Sequence, residues 1–489
     1  MTILELNPKC VWKNFHALTQ IPRPSKHEQK AADYIEAFGK KLGLETIRDE
    51  VGNVIIRKPA TKGKEKCKGI ILQAHIDMVP QKDDAKKHDF LKDPITTKIV
   101  DMEDGQWVMA DGTTLGADDG LGCAAIMAVM ESKDIAHGPI EGIFTIDEEQ
   151  GMGGAFGLKP GVIKGDTLIN LDSETEGELY VGCAGSINCN ADFKYSEEDM
   201  PKGYKAYTLR VEGLRGGHSG MDIHEGRGNA NKILSRILLP LLMDMDCILS
   251  SINGGSMRNA IPREASAVVA VPADEVKDVK TLVADILATV KKEYARIDPG
   301  VSISIEASKA RKVKVMKGNK GLKIVKALVA CPNGVDRMSL EVPGLVECSN
   351  NLAIIKTEGG KVSVGAFMRA ATDSIKFAHA EDFRSVFELA GAKVSFNGSH
   401  SGWSPNLDSP ILKKMKSKYK ELFGAEPAVM AIHAGLECGI LGATYPEWDM
   451  ISCGPTLKSP HSPAERALIP SVEKWWKFLV AVLEDAPKK

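Results

Sequence analysis

The sequence predicts an α/β protein in which a domain with a mixed, mainly parallel sheet and flanking helices carries an inserted α+β domain. Up to about residue 187, short apolar runs alternate with helix-like segments, which is the pattern of parallel strands joined by crossover helices. From about residue 188 the pattern changes to alternating, strand-like segments interleaved with helices. The length of 489 residues accommodates two large domains or three smaller ones.

The elements of the first part follow from spacing and length. Segment 28–41 has apolar residues at helical spacing, and Gly43 follows it as a stop signal. Three apolar runs have the length of buried strands, at 69–74, 142–146 and 167–171. Because each run ends in a cluster of polar residues, we expect polar side chains along one edge of the predicted sheet.

The middle part combines helices with alternating strands. Segments 229–242 and 275–294 have the spacing of helices. Segment 352–370 predicts a hairpin with its turn at Gly359-Gly360. The inserted domain is therefore expected to contain two similar halves, although no exact sequence repeat is present.

The last part of the chain predicts a return to the first domain. A Gly- and Ser-containing segment at 398–406 precedes two predicted helices, at 409–423 and 471–485. We therefore assign residues 1–187 and 400–489 to the first domain and residues 188–399 to the inserted domain.

Composition excludes several classes of protein. Lysine and arginine number 63 against 65 aspartate and glutamate, so the net charge of −2 leaves no electrostatic footprint for nucleic acid or an anionic membrane. The apolar fraction of 43% and charged fraction of 26% are typical of a soluble globular protein. The most apolar stretch, 233–250, is interrupted by charges and does not predict a membrane helix. Ten cysteines without a CxxC pair, and an N-terminus without an apolar leader, predict a cytoplasmic location.

Four clusters of metal-ligand residue types stand out, and three of them directly follow apolar strands. A single cluster of this kind is usually a surface or satisfied core pair. Ligands of open α/β sheets bind beyond the carboxyl ends of the strands, so four clusters in one such region predict a functional site. They are His75-Ile76-Asp77, Asp118-Asp119, Glu148-Glu149 and Asp172.

The first two clusters have distinct expected roles. In an extended chain the side chains of His75 and Asp77 face the same way, so Asp77 is expected to accept the second N–H of a metal-binding His75. Asp118-Asp119 lies at the mouth of a predicted helix that runs to about Met130, where the helix dipole favours a carboxylate that bridges two ions. A simple N-cap is the alternative for this pair.

Two adjacent glutamates can take different roles, one as a metal ligand and the other as a general base. If Glu148 and Glu149 lie in an extended segment, their side chains face opposite ways, one to a metal and the other to the water it activates. A solvated acidic pair is the alternative, but this pair follows a strongly apolar strand. Asp172, which follows the run at 167–171, repeats the arrangement.

Histidines extend the candidate set. His461, in a proline-containing loop, is the best second imidazole ligand, with an ordinary turn histidine as the alternative. Mixed imidazole and carboxylate ligands suit zinc, and also manganese or cobalt. His218 lies between glycines that let a ligand approach the backbone closely. Its spacing to His224 is compatible with an extra metal site, but a solvated loop explains it better.

These motifs together resemble the dinuclear zinc peptidases of the aminoacylase and carboxypeptidase superfamily, and the resemblance covers essentially the whole chain. Two further segments, IPRPSKHE at 21–28 and AIHAGLECG at 431–439, are similar to the aminoacyl-histidine dipeptidase branch. The motifs that carry the superfamily resemblance are HIDMVP at 75–80, GADDG at 116–120, DEEQG at 147–151, LDSE at 171–174 and SPHSP at 459–463.

The resemblance implies two divalent ions bridged by Asp118, zinc being the first expectation. His75 and Asp172 would complete one ion's ligands, and Glu149 and His461 the other's. Asp77 would orient His75. Glu148 would be the general base that takes a proton from a water bridging the two ions. The resemblance also implies a cis peptide bond between Asp118 and Asp119.

The inserted domain would be the family's lid. His218 matches the histidine that polarises the scissile carbonyl, while Asn259 and Arg369 match substrate-anchoring positions. A guanidinium fork suits a free C-terminal carboxylate, and an exposed strand residue is the alternative for Arg369. The chain departs from many relatives in having Gly120-Leu121 where they carry Lys-Gly, which limits the transfer of substrate detail.

The expected activity is metal-dependent hydrolysis of dipeptides with free termini, with Xaa-His dipeptides such as β-alanyl-histidine as candidates. An N-acyl amino acid deacylase or a carboxypeptidase is the runner-up. A binding protein that kept the fold is disfavoured by Glu148, which binding alone does not require. A covalent mechanism is disfavoured because Ser219 lacks the GxSxG elbow. A homodimer is the expected assembly, although a lid with two halves also suits a single chain.

Overall fold

The computed structural model describes residues 2–310 and 312–485. The chain forms two compact units. The first unit comprises Met1–Cys183, Trp403–Ala431 and Leu436–Lys489, and the second comprises Ala184–Gly402 and Ile432–Gly435. The second unit is thus inserted, in sequence, between parts of the first.

The first unit is built on a mixed eight-stranded sheet. Its four central strands are parallel, and they are short apolar segments buried along most of their length. Antiparallel strands flank this parallel core. The order across the sheet is Glu45–Arg48, Val54–Lys58, Ile140–Thr145, Ile70–His75, Thr167–Asn170, Asp449–Ser452, Glu178–Cys183 and Ala428–Ile432.

Helices complete the core of the first unit. Ala117–Glu131 is buried almost all round, as its near-continuous run of small and apolar residues requires. Pro410–Phe423 begins with proline after Ser409, whose hydroxyl accepts from the Leu412 N–H, and ends at Gly424 in the left-handed region. The other helices are Ile3–Glu5 (3₁₀), Lys9–Thr19, Gln29–Lys41, Glu148–Gly151, Gly153–Gly157, Glu437–Thr444 and Ile469–Glu484.

A smaller antiparallel sheet also belongs to the first unit. Its central pair joins Gly105–Ala110 to Arg466–Leu468, so the segment after the last parallel strand is tied to the middle of the chain. The remaining strands of this sheet are Leu457–Lys458 and Thr97–Met102.

The second unit contains a nine-stranded antiparallel sheet with a repeated topology. Each half of the sheet follows the order strand, helix, strand, strand, helix, strand. One half comprises Tyr204–Glu212, Ala230–Asp244, Ile248–Gly254, Ala265–Pro272, Val276–Glu293 and Ser302–Ala307. The other comprises Gly185–Lys194, Lys320–Ala330, Val346–Glu358, Lys361–Ala370, Asp373–Leu389 and Lys393–His400.

The two halves meet where Gly254 pairs with Ile355, and their strand orders are mirror images about that junction. The hairpin Val346–Glu358 and Lys361–Ala370 turns at Gly359 and Gly360, which both have positive φ, as the predicted turn requires. Further elements are Gly334–Met338, which pairs with Val346–Glu358, Ile223–Glu225 (3₁₀), and the strand pairs Glu197–Asp199 with Lys314–Met316 and Gly217–His218 with Ala260–Ile261.

The predicted α/β class with a mixed sheet and flanking helices is confirmed. The three apolar runs predicted as strands form strands, and the predicted terminal helices end within a few residues of the observed ones. One local prediction is wrong. Glu148 and Glu149 do not lie in an extended segment, because Asp147 has a positive φ of 56° and turns the chain directly into the helix Glu148–Gly151.

Two global features bear on the predicted class. None of the helices that the structure describes combines the length and apolar character that a membrane crossing needs. All ten cysteines are free thiols, and nine of them are buried.

Candidate metal centre and active site

The carboxyl ends of three adjacent parallel strands bring the predicted ligands to one edge of the sheet of the first unit. His75 is the last residue of its strand, Asp172 follows the neighbouring strand Thr167–Asn170, and Glu148 begins the helix after Ile140–Thr145. Parallel pairing places these ends at the same edge, as expected for a ligand site.

Asp118 lies between two groups of side chains, each with one imidazole and one carboxylate. Its Oδ1 lies 3.0 Å from His75 Nε2, which in turn lies 3.4 Å from Asp172 Oδ1. Its Oδ2 lies 3.0 Å from His461 Nε2, which lies 3.0 Å from Glu149 Oε2. The two oxygens of one carboxylate therefore serve two separate groups of donors.

This arrangement fits a pair of divalent metal ions. Atoms at adjacent corners of a tetrahedral site with bonds of about 2.0–2.1 Å lie about 3.3 Å apart, which matches the observed separations. His75, Asp118 and Glu149 offer ligand atoms that all lie within 4.8 Å of one another. Oε1 of Glu149 is buried without a hydrogen-bond partner among the described residues, so a ligand atom is available there.

The electrostatics of the cluster also call for positive charge. Burial raises the pKa of Asp172 to about 6, with Asp118 and Glu149 adding to the effect. Burial acts against protonation of His75 and His461, but the surrounding carboxylates raise the pKa of both imidazoles. A divalent cation would satisfy the carboxylates in place of those protons.

Asp77 lies beside the second ring nitrogen of His75 and also supports the turn that follows the neighbouring strand. His75 Nδ1 lies 3.1 Å from the backbone carbonyl of Asp77 and 3.5 Å from its carboxylate, so the closer partner is the carbonyl. The wholly buried Asp77 carboxylate accepts the backbone N–H of Glu148 at 3.0 Å and of Glu149 at 3.3 Å. Asp77 thereby links the histidine to the turn that carries the two glutamates.

The backbone around Asp118 is held by a buried carboxylate that the sequence reasoning missed. Glu465 accepts hydrogen bonds from Leu115, Gly116 and Ala117 at 2.7, 3.0 and 2.7 Å, with Asp118 N at 3.4 Å. The expected cis peptide bond between Asp118 and Asp119 is present. Glu465 lies four residues after His461, and no spacing rule marks it.

Arg23, in the quoted segment 21–28, ties the same loop to the strand end. Its guanidinium donates to the carbonyls of Ile76, Asp77 and Gly116, and the residue is only 2% exposed. In the sequence, Arg23 was indicated only by the resemblance of segment 21–28 to the dipeptidase branch. Arg23 therefore fixes the loop on one side, as Glu465 does on the other.

Glu437 is a second missed acid, buried beneath the strand ends. Its Oε2 accepts from Gln73 Nε2 at 2.7 Å and from Thr145 Oγ1 at 2.6 Å, while Oε1 has no partner among the described residues. Burial raises its pKa to about 8. Its charge contributes to raising the pKa of Glu148, after burial and together with Asp172 and Glu149.

Two of the predicted substrate residues lie together in the second unit. Arg369 is 5% exposed, so the exposed-strand alternative is wrong. Its Nη2 lies 3.4 Å from His218 Nε2, its guanidinium stacks on Phe367 at 4.6 Å, and its Nε has no partner among the described residues. Burial lowers the pKa of Arg369 to about 10. A buried guanidinium that forms no ion pair with the carboxylates that the structure describes is suited to an anionic ligand.

His218 is held through both its backbone and its ring. Its Nδ1 accepts backbone N–H groups from Gly220 at 3.3 Å and Met221 at 3.0 Å. The backbone N–H of His218 donates to Asp222 at 2.7 Å. These bonds fix the ring with its Nε2 beside Arg369.

The remaining predicted residue, Asn259, lies in the Met257–Ala260 turn region, where its backbone carbonyl accepts from Ser219 at 2.8 Å. His433, a missed residue of the second unit, lies 2.7 Å from Ser349 Oγ through Nε2. Burial, with the charge of Arg369, lowers the pKa of His433 to about 3, so its ring is neutral. In the sequence, His433 was indicated only by its position in segment 431–439, which resembles the dipeptidase branch.

The fold and this donor set define a class: hydrolases whose chemistry depends on divalent metal ions at the carboxyl edge of an α/β sheet. Residues 71–485 match the peptidase family M20/M25/M40, and the chain belongs to that family. It is therefore an enzyme of the peptide-hydrolase class, and the predicted resemblance is confirmed.

Two relatives match over the full length. The cytosol non-specific dipeptidase of Escherichia coli is 42% identical over 485 residues, which is 99% of each chain. The structure of aminoacylhistidine dipeptidase from Vibrio alginolyticus has a TM-score of 0.90 and 46% identity, and covers 100% of this chain and 99% of that one. Aminopeptidase PepT from Bacillus cereus, at 17% identity and a TM-score of 0.57 over 98% of this chain and 99% of that one, shows the fold alone.

Proposed function

We propose that this chain is a dipeptidase that hydrolyses dipeptides whose amino and carboxyl termini are both free. The single observation that carries the proposal is the position of Asp118, whose two carboxylate oxygens each lie 3.0 Å from an imidazole that also lies beside a further carboxylate. The names of the two full-length relatives, a non-specific dipeptidase and an aminoacylhistidine dipeptidase, support this substrate class. Xaa-His dipeptides such as β-alanyl-histidine belong to the proposed range.

Two divalent ions are proposed, with zinc first and manganese or cobalt as alternatives. His75 and Asp172 would hold one ion, Glu149 and His461 the other, and Asp118 would bridge them. When bound, such a pair lowers the pKa of water and polarises the substrate carbonyl. Ligands from imidazole and carboxylate only, without a thiol, leave this choice of metal open.

Glu148 is the proposed general base. Its backbone is held by the Asp77 carboxylate, which fixes the start of the helical turn that presents its side chain. Burial, together with Asp172, Glu149 and Glu437, raises its pKa well above the ordinary glutamate value. A carboxylate of raised pKa is a better proton acceptor at neutral pH, so Glu148 is suited to take a proton from water and return it to the leaving amine.

Residues of the second unit are proposed to bind the substrate. Arg369 would bind the C-terminal carboxylate through two hydrogen bonds, which is consistent with a buried guanidinium whose Nε has no partner among the described residues. His218, whose Nδ1 accepts two backbone N–H groups, would donate from Nε2 to the carbonyl oxygen of the scissile bond. Asn259 would anchor the substrate backbone.

Location and assembly belong to the same proposal. Ten free cysteines and a relative named for the cytosol support a cytoplasmic enzyme. A homodimer is the proposed assembly, which light scattering on the purified protein tests directly. A monomer would overturn the proposed homodimer, and the repeated topology of the second unit is the feature that suits a monomer.

A substrate panel tests the proposed activity. Ala-His and Leu-Gly should be cleaved, tri-alanine and N-acetyl-leucine should not, and chelation should stop turnover until metal is restored. Glu148→Gln keeps the size of the side chain and should lower kcat by at least about a thousandfold, while the exposed Glu65→Gln should retain wild-type rates. Cleavage mainly of N-acetyl-leucine would replace the dipeptidase by a deacylase.

A further inference from the structure

A second cluster of metal-ligand side chains lies wholly within the second unit. Asp336, Cys348 and His379 each offer one ligand atom, and these atoms lie within 4.8 Å of one another. The three residues belong to two paired strands, Gly334–Met338 and Val346–Glu358, and to the helix Asp373–Leu389. Regular elements hold all three side chains, which is how protein metal sites are usually positioned.

Local irregularity in the strand pair accounts for the position of Asp336. Val335 pairs with Ser349 and Arg337 with Cys348, so Asp336 is the extra residue of a β-bulge. A bulge redirects a side chain that regular pairing would place elsewhere. Asp336 Oδ1 consequently lies 3.9 Å from Nδ1 of His379.

The helix contributes a second carboxylate to the cluster. Asp382 lies one turn after His379, and its Oδ2 is 3.2 Å from His379 Nδ1. Asp336 and Asp382 are exposed, with 49% and 67% of their side chains accessible, whereas His379 is 5% exposed and Cys348 is fully buried. The cluster thus has buried nitrogen and sulfur donors and carboxylates open to solvent.

The buried members of the cluster are incompletely satisfied. Nδ1 of His379 faces the two carboxylates, while its buried Nε2, on the other side of the ring, has no hydrogen-bond partner among the described residues. Burial, with the charges of Asp336, Glu347 and Asp382, raises the pKa of the Cys348 thiol to about 12. Arg337 is the cation that acts on this thiol, but its Nε is bound to Glu347 at 2.9 Å. A thiol, an imidazole and two carboxylates therefore lie together in a region where Arg337 is already paired with Glu347.

We propose that Cys348, His379, Asp336 and Asp382 form a binding site for one divalent cation of the zinc type, separate from the site that contains Asp118. One sulfur, one imidazole nitrogen and two carboxylate oxygens are ligands that zinc accepts in tetrahedral coordination. Adjacent ligand atoms of such a site lie about 3.3–3.7 Å apart. The ligand atoms of Asp336, Cys348 and His379 lie within 4.8 Å of one another, and Asp382 Oδ2 lies 3.2 Å from His379 Nδ1, so the side chains must draw together to bind one ion. A cation of this kind displaces the thiol proton on binding.

The proposed ion would join a strand at the margin of the sheet to a helix. Gly334–Met338 pairs only with Val346–Glu358 among the described strands, and three of the four ligands lie on other elements than this strand. An ion held between them would stabilise the second unit without taking part in hydrolysis. The ligand set contains none of the residues assigned above to catalysis or substrate binding.

Cobalt provides a readout that the Asp118 site does not share. A cobalt–thiolate bond gives a strong near-ultraviolet charge-transfer band, whereas the ligands around Asp118 are imidazoles and carboxylates. Adding cobalt to the full-length protein should produce this band, and adding zinc should remove it by displacement. Absence of the band in the wild-type protein would overturn the proposal.

Variants identify the ligands. Cys348→Ser should abolish the band, while Cys189→Ser, at another fully buried cysteine of the same unit, should keep it. Asp336→Asn lies at an exposed position that tolerates the change, and it should lower cobalt affinity at least tenfold. Dipeptide hydrolysis by Asp336→Asn should equal that of the wild type. A band that survives Cys348→Ser, or an unchanged affinity in Asp336→Asn, would contradict the assignment.

Discussion

Glu465→Gln should weaken both the fold and the metal centre, although Glu465 binds no metal ion in this account. The carboxylate uses Oε2 for Leu115 and Gly116, and Oε1 for Ala117 and, more weakly, Asp118. Glutamine keeps one acceptor oxygen and replaces the other by an NH₂ group. Two backbone N–H groups would then face a donor in a buried site, and the loop that carries Asp118 would shift.

The magnitude follows from the charged hydrogen bonds that are lost. Each hydrogen bond to an ionised group contributes about 1.5–3 kcal/mol, so losing two removes about 3–6 kcal/mol. Burial raises the pKa of Glu465 to about 7, so removing its buried charge returns part of that energy. A net loss of about 3 kcal/mol at pH 8 corresponds to a decrease in Tm of about 6 °C for a unit of this size.

Thermal unfolding at pH 8 and zinc titration test this expectation. The Tm of Glu465→Gln should fall by about 6 °C, and its zinc affinity at the hydrolytic site should fall at least tenfold. Glu473→Gln is the matched control, because Glu473 is an exposed glutamate on the following helix. An unchanged Tm and an unchanged zinc affinity in Glu465→Gln would refute the role assigned to these hydrogen bonds.

Three further predictions concern charge and binding. Glu437 has a folded-state pKa of about 8, above its unfolded value, so the free energy of unfolding should fall as the pH rises from about 4.5 to 8. Glu437→Gln should remove up to about 4 kcal/mol of that fall, as denaturant unfolding of the chelated protein at several pH values can show. Arg369→Met should raise KM for Leu-Gly about 100-fold, with little change for Leu-Gly-amide; equal effects on both would contradict carboxylate recognition. Chelation should lower the Tm of the wild type, and Asp172→Ala should reduce that difference, as differential scanning calorimetry can show.

The sheet of the first unit was predictable because its strands are short apolar runs. Ile70–His75, Ile140–Thr145 and Thr167–Asn170 are buried at every position, and each contains consecutive large apolar residues that mark it as a buried strand. The repeated topology of the second unit is different. Two similar halves were expected from the sequence, but one half is inserted into the other and their residues do not repeat, so only strand pairing shows which elements form each half.

The ligands that directly follow strands could be predicted from the sequence. The residues that hold those ligands in place through hydrogen bonds from distant parts of the chain could not. His75 and Asp172 follow apolar strands directly, which made them visible. Glu465 and Glu437 act through hydrogen bonds to residues about 300 positions away or more, and such contacts leave no periodic signal. The extended geometry expected for Glu148 failed because Asp147 adopts a left-handed conformation that few residues other than glycine favour.

Anomalous diffraction from crystals grown with zinc tests most directly whether Asp118 bridges two metal ions. Two peaks are expected, one on either side of the Asp118 carboxylate, about 3.5–4 Å apart. One should lie beside His75 and Asp172, and the other beside His461 and Glu149. A single peak, or two peaks that do not lie beside the Asp118 carboxylate, would show that Asp118 does not bridge two ions.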